Sequence, residues 1–144
     1  MTLSPFVKKL MFARQFDIDK GSVTFLKQRE VIVSPKLFSL LDKKKMVGIS
    51  QTIFEEEINN IKKSTGLSKL KLVELFLDLL DSFGFGKFKL HKLEPNVIVQ
   101  VFGLPKDSES YVQGALIGGF NVVFDKKFKI VSKKLSGGYE FVLS

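Results

Sequence analysis

The chain has 144 residues, 44% of them apolar, with 15 Phe and no Trp; that is enough bulk to bury one core without staples, and 26% charge excludes disordered and fibrous classes. The absence of Cys removes disulfides, thiolate metal sites and Cys nucleophiles together and is compatible with a reducing interior. A formal net charge of +8, carried by lysines with Arg14 and Arg29 as the only arginines, favours diffuse attraction to anions over bidentate reading of phosphate or base edges, and it also fits a thermophile's composition.

The first ten residues lack a continuous apolar run, and no uncharged apolar stretch approaches the roughly 18 to 20 residues that span a bilayer. A cytoplasmic protein without a membrane span is therefore expected. Residues 11–18, 23–25 and 30–33 are short, β-branched and aromatic-rich, and the turn-forming Asp19-Lys20-Gly21 separates the first two, so they read as a small strand meander. Ser34-Pro35 then offers a helix N-cap and first-turn proline, with Leu37, Phe38, Leu40 and Leu41 at helical spacing and Lys43-Lys44-Lys45 as the last turn. From about 50 to 64, Ile53, Phe54, Ile58 and Ile61 form one stripe opposite Glu55, Glu56, Asn59, Asn60, Lys62 and Lys63, the pattern of a surface helix.

Thr65-Gly66 closes that helix, and Ser68 is placed to cap the next. In this second helix Leu70, Leu72, Val73, Leu75, Phe76, Leu77, Leu79, Leu80 and Phe83 cover most of the circumference, which calls for burial on more than one side, by the domain or by a partner subunit. Gly84-Phe85-Gly86 ends it. Residues 87–93 and 96–102 read as a hairpin around Glu94-Pro95, and residues 103–108 as a loop. An apolar helix bearing Gly114, Gly118 and Gly119 follows, then two closing strands from 128 and from 137. Each glycine inside a helix costs about 1 kcal/mol relative to Ala, so these three imply close approach of another backbone or of a ligand. The fold class is α+β, a single domain over 1–144 with the meander in 1–34 and the helices and antiparallel sheet in 35–144.

Catalytic and metal readings find little support. His91 is the one histidine and lies between Lys89-Leu90 and Lys92-Leu93 on the polar phase of a strand, so a surface role outweighs a Ser-His-Asp triad. Glu55-Glu56-Glu57 diverge around a helix and read as a solvated acidic patch near its N-terminus, not as a metal site. Gly84-x-Gly86 and Gly118-Gly119 complete no phosphate-binding turn. Lysines at 62–63, 69, 71, 126–127, 129 and 133–134 suit a track for nucleic acid or acidic protein, and Phe124 and Phe128 flank Lys126-Lys127 as a stacking platform would, yet no nucleic-acid-binding motif accompanies them. No catalytic residue, no metal ligand and no cofactor is assigned.

Several stretches together carry a family resemblance: Phe12-Ala13-Arg14-Gln15-Phe16; Gln28-Arg29-Glu30-Val31-Ile32 with Ser34-Pro35; the helix-to-strand junction Leu79-Leu80-Asp81-Ser82-Phe83-Gly84-Phe85-Gly86-Lys87; and the glycine helix with its closing strands. The chain resembles the 4-vinyl reductase (4VR) domain family and looks like an archaeal stand-alone member. The resemblance implies a fold similar to the small subunits of the TRAPP vesicle-tethering complex, an antiparallel sheet against helices, with a tendency to dimerise through helices and an interior able to hold an acyl chain or small apolar ligand. Family members often carry cysteines near the start of the glycine helix, between the last strands and in a closing C-x-F motif; here those neighbourhoods hold Ser110, Lys134 and Tyr139, so no cysteine-dependent metal or redox role is carried over.

The function expected is a non-enzymatic, dimeric sensor or adaptor that encloses a hydrophobic small molecule, lined by Phe76, Leu80 and Phe83 of the apolar helix and by Tyr111, Gly114, Ile117 and Gly118 of the glycine helix. The alternative is a ligand-free interaction scaffold, which a filled core would favour, or a lysine-mediated binder of an acidic or nucleic-acid partner.

Overall fold

The computed structural model describes the backbone of residues 16–19, 22–25 and 28–30 and all atoms of residues 36–144, with Pro35 placed by its backbone. The chain divides into two compact units, Met1–Ser34 and Pro35–Ser144. In the first, β1 (Phe16–Asp19), β2 (Ser22–Phe25) and β3 (Gln28–Glu30) form an antiparallel meander in that order, with Asp19 paired to Ser22 and Phe25 to Gln28. The expected strand residues 11–15 and 31–33, and Ser34, lie outside the described residues.

The second unit opens with a 3-10 helix at Pro35–Leu40, followed by α1 (Lys43–Thr65), α2 (Lys69–Ser82), β4 (Lys87–Lys92), β5 (Val97–Phe102), α3 (Glu109–Phe124), β6 (Ile130–Leu135) and β7 (Gly138–Leu143). Its sheet is antiparallel, in the order β4-β5-β7-β6. No helix among the described residues is long and apolar enough to cross a membrane.

One expected boundary is corrected. Lys43-Lys44-Lys45 begin a helix instead of ending one, because Asp42 caps it: its Oδ1 accepts from the Lys45 backbone N–H at 2.9 Å. Chain geometry thus overrides the preference of lysines for a helix C-terminus. The resulting 23-residue helix places Glu55, Glu56 and Glu57 past its middle, and Glu57 is buried instead of solvated. The far end matches expectation, with Gly66 at φ 61° as C-cap and Ser68 Oγ capping α2.

The domain itself buries α2 on more than one side: Leu72, Val73, Phe76, Leu77, Leu79 and Leu80 are buried, while Leu70 and Phe83 stay exposed. Strand alternation sets the sheet's inner face. Val97, Val99 and Val101 of β5 are buried, and register aligns them with Leu143, Phe141 and Tyr139 of β7. The helix α3 lies on this face: Ser132, paired with Phe141, donates from Oγ to Glu109 Oε1 at 2.6 Å and accepts from Gln113 Nε2 at 3.2 Å. The outer strands β4 and β6 carry Lys87, Lys89, Lys92, Lys133 and Lys134, and charged edges of this kind discourage pairing with another sheet.

Candidate functional site

Two glycines set the spacing of the central helices. A Cβ on Gly114 would collide with Ser50 Oγ and the Val47 carbonyl oxygen, and one on Gly118 with the Gln51 carbonyl oxygen. Thus α3 lies directly on the α1 backbone, an approach any larger residue would prevent. Further along, Asn121 Nδ2 donates to Glu55 Oε1 at 3.1 Å, and Lys62 Nζ donates to the Val122 carbonyl at 2.8 Å and to Asp125 at 2.8 Å. The third glycine, Gly119, faces α2 instead, its hydrogen taking the only space left by the Phe76 ring.

This closeness assembles a run of aromatic rings. Tyr111, one turn before Gly114, lies 5.0 Å from Phe85 in a stacked arrangement, 5.2 Å from Phe38 and 6.2 Å edge-on to Phe54. Phe54 meets Phe76 at 5.9 Å, and Phe76 meets Phe120 at 5.8 Å, both edge to face. Beyond Phe120 the run continues to Phe124 at 6.0 Å and Phe128 at 6.4 Å.

Local sequence positions these rings. After α2, the Gly84 N–H bonds to the Asp81 carbonyl at 2.9 Å and the Phe85 N–H to the Leu80 carbonyl at 3.2 Å, with Gly84 at φ 84°. That is a Schellman motif, and its usual apolar contact turns Phe85 inward over the helix end. Phe38 projects from the 3-10 helix and is buried although Leu37, Leu40 and Leu41 beside it are exposed.

The residues expected to line a ligand are distributed as follows. Phe76 and Leu80 are fully buried in α2, Ile117 is half-buried on α3, and Phe83 at the α2 C-cap is 41% exposed. Tyr111 and Phe76 belong to one ring system, bridged by Phe54, whereas Gly114 and Gly118 face the α1 backbone. Sequence reasoning left out Phe38, Phe54 and Phe85. The signal for Phe85 was its place directly after the capping glycine, and the signal for Phe54 its place on the buried stripe of α1.

Other features have internal uses. Lys126 lies 4.8 Å over the Phe128 ring and Lys69 5.8 Å over Phe124, so these rings carry cations of their own chain, each contact worth about 0.5–1 kcal/mol. Lys62 is committed to Asp125, whose carboxyl is held below its ordinary range first by that hydrogen bond and then by the lysine's charge. His91 is exposed at the irregularity in the β4–β5 register between Leu90 and Lys92. Among the described residues no group of three or more His, Asp or Glu side chains is placed to hold a metal ion.

No protein-family model and no curated protein matches the chain. Several solved structures share its architecture. A vinyl-4-reductase family protein from Methanocaldococcus jannaschii superposes with a TM-score of 0.54 at 16% identity, over 82% of this chain and 84% of that one. The chain has a 4VR-like fold. The phenol-responsive sensory domain of the transcription activator PoxR, solved with phenol, shares the fold with a TM-score of 0.70 at 12% identity, over 97% of this chain and 90% of that one. At these identities the likeness defines the arrangement of helices and sheet, and the aromatic run uses α1, which supplies Phe54 and lies outside the stretches that carried the resemblance, together with elements that those stretches include.

Proposed function

We propose that this 4VR-like domain is a non-enzymatic, dimeric sensor module that receives a small apolar, ring-bearing molecule beside Tyr111. The observation that carries this reading is the ring cluster of Phe38, Phe54, Phe85 and Tyr111, which offers stacked and edge-on faces around a phenol side chain. The similar sensory domain that responds to phenol supports it. The chain's own rings occupy the space between the helices, so a ligand enters by replacing one of them, and Phe38 is the candidate. It is held by a 3-10 helix of six residues, outside the capped helices and the sheet. Displacing Phe38 shifts the 3-10 helix Pro35–Leu40 that carries it, which is how binding would be passed on. Phe76, Leu80 and Ile117 complete the apolar surroundings, and Gly114 and Gly118 contribute by seating α3 on α1.

Native mass spectrometry of freshly purified protein, beside its denatured mass, tests the proposal, together with titration of phenol as the probe into wild type and Phe38→Ala. An engineered apolar space of this size admits benzene-sized molecules in other cores. Retained mass lost on denaturation, or phenol binding that Phe38→Ala strengthens, supports the sensor. Absence of both, in a variant whose circular dichroism is that of wild type, refutes it. The second reading is a ligand-free scaffold, favoured by the same filled ring cluster; it gains if both results are negative and a protein partner is captured.

A further inference from the structure

The face of the β4-β5-β7-β6 sheet that α3 does not cover is open. Strand alternation places Ile98, Gln100 and Phe102 of β5 there, and register pairs them with Val142, Glu140 and Gly138 of β7. Of these six only Gly138 is buried, beside the Phe102 ring, whose Cδ1 lies 3.0 Å from where a Gly138 side chain would begin. The outer strands complete the face. In β6, Val131 pairs with Val142, Lys133 with Glu140 and Leu135 with Gly138; in β4, Lys87 pairs with Phe102 and Lys89 with Gln100. A third lysine joins them through the irregularity at His91. The extra residue there sets Lys92 opposite Ile98, on the face of Lys87 and Lys89, where strict alternation would have sent it inward.

These residues make an apolar floor flanked by cations. Ile98, Val142 and Val131 form a patch at one end, and Phe102 and Leu135 form another about 14 Å away along the strands. Val131 is 69% exposed and Phe102 40%. Between the patches Gln100 Nε2 donates to Glu140 Oε2 at 3.0 Å, so the one carboxylate of the face is engaged by its neighbour. Lysines stand on both outer strands, about 14 Å apart across the sheet.

We infer that this open face is the docking surface for an acidic, amphipathic helix of a partner protein. An α-helix is about 10 Å across, so one lying along β5 and β7 covers the central strands and brings its flanks beside Lys87, Lys89 and Lys92 on one side and Lys133 on the other. Apolar residues two to three turns apart on that helix meet the two patches, and acidic residues on either side of its stripe meet the lysines. The same chemistry disfavours other anionic partners. One aromatic ring and no arginine supply neither a row of stacking surfaces nor forked contacts for nucleic-acid bases. A floor of half-buried Ile98 and Val142 between long lysine side chains suits a convex helix better than a flat bilayer. A second copy of the face would set lysines against lysines. Docking here requires no bound small molecule, so the surface stands independently of the sensor reading.

Fluorescence anisotropy with the full chain tests it, using a labelled peptide of about 14 residues with leucines at helical spacing flanked by glutamates, beside the same composition in scrambled order. Saturable binding that is several-fold tighter for the amphipathic order, and that weakens with salt, is expected. Lys89→Glu and Lys133→Glu should each weaken it about threefold, and Val131→Glu about tenfold. Lys44→Glu, the same charge change on α1 and away from the sheet, should leave it unchanged. All four positions are exposed, and circular dichroism checks that each variant folds. An equal loss from Lys44→Glu, equal binding of the scrambled peptide, or no saturable binding up to about 1 mM overturns the inference. So does an oligothymidylate or a phosphatidylserine vesicle that binds with the same dependence on Lys89 and Lys133 while the peptide does not.

Discussion

Replacing Gly114 by Ala tests whether the contact of α3 with the α1 backbone organises the core. By helix propensity alone the change should stabilise the protein by about 1 kcal/mol. The structure predicts the opposite sign. The new methyl would overlap the Val47 carbonyl oxygen, a backbone atom held in the α1 hydrogen-bond ladder, and Ser50 Oγ, which donates to the Met46 carbonyl at 2.9 Å. Relief requires the two helices to separate by roughly 1 Å, which loosens the packing of Phe54, Ile58 and Tyr111; overpacking of this kind costs about 1–3 kcal/mol beyond the lost propensity gain. We expect a net loss of about 2 kcal/mol and a Tm lowered by about 6–10 °C for a chain of this size, read by thermal circular dichroism and by urea midpoint. Ser50→Gly in the same chain should recover only part of the loss, since the Val47 carbonyl remains. Gly48→Ala, where nothing stands within 4 Å, should raise stability. A Gly114→Ala protein as stable as wild type, or more so, would refute the reasoning.

Two further predictions concern pH. The Asp78 carboxyl is raised above its ordinary value, first by partial burial and then by the charges of Asp81 and Glu74, so the native state binds its proton more tightly than the unfolded chain. Its ionised form therefore lowers stability as pH rises through the raised value; Asp78→Asn should be at least as stable as wild type at neutral pH, with the difference disappearing below the ordinary carboxylate range. The lowered Asp125 has the opposite sign: its tie to Lys62 contributes above the ordinary carboxylate value and is lost as pH falls through the depressed one, so Asp125→Asn should show a small neutral-pH deficit that closes on acidification. Parallel melts of each variant and wild type from neutral to acidic pH check both; a constant difference across that range would contradict the assignment.

The parts of the fold most visible in sequence are those with local chemistry at their ends. Gly66, Ser68 and Gly84 mark the limits of α1 and α2, and Glu94-Pro95 marks the β4–β5 turn, because caps and turns are specified by one or two residues. The start of α1 was hidden, since Lys43-Lys44-Lys45 carry a C-terminal charge signal while the deciding cap is the single carboxylate of Asp42. Burial of Glu57 was hidden for a different reason: three consecutive glutamates look alike until the packing direction of the helix is known. Gly114 and Gly118 announced a close approach but not its partner, because the contact with α1 joins residues more than sixty positions apart. The same distance conceals the cluster around Tyr111, whose rings come from the 3-10 helix, α1, the end of α2 and α3.

Seated by its glycines, α3 runs beside α1 in the same direction, with Val47, Gln51, Glu55 and Lys62 meeting Gly114, Gly118, Asn121 and Asp125 in turn. Parallel helices add their dipoles, bringing two negative ends together at one pole and two positive ends at the other. The two poles are met unequally: Glu109 stands in the first turn of α3, Lys43, Lys44 and Lys45 follow the Asp42 cap and add to the positive end of α1, and Lys62 reaches from the last turn of α1 to the Val122 carbonyl near the end of α3. The helix pair is thus a single polarised body whose negative pole is met by the Lys62 ammonium, while its positive pole keeps the added charge of three lysines, and the alignment that gives the rings their geometry is carried by close packing and not by charge.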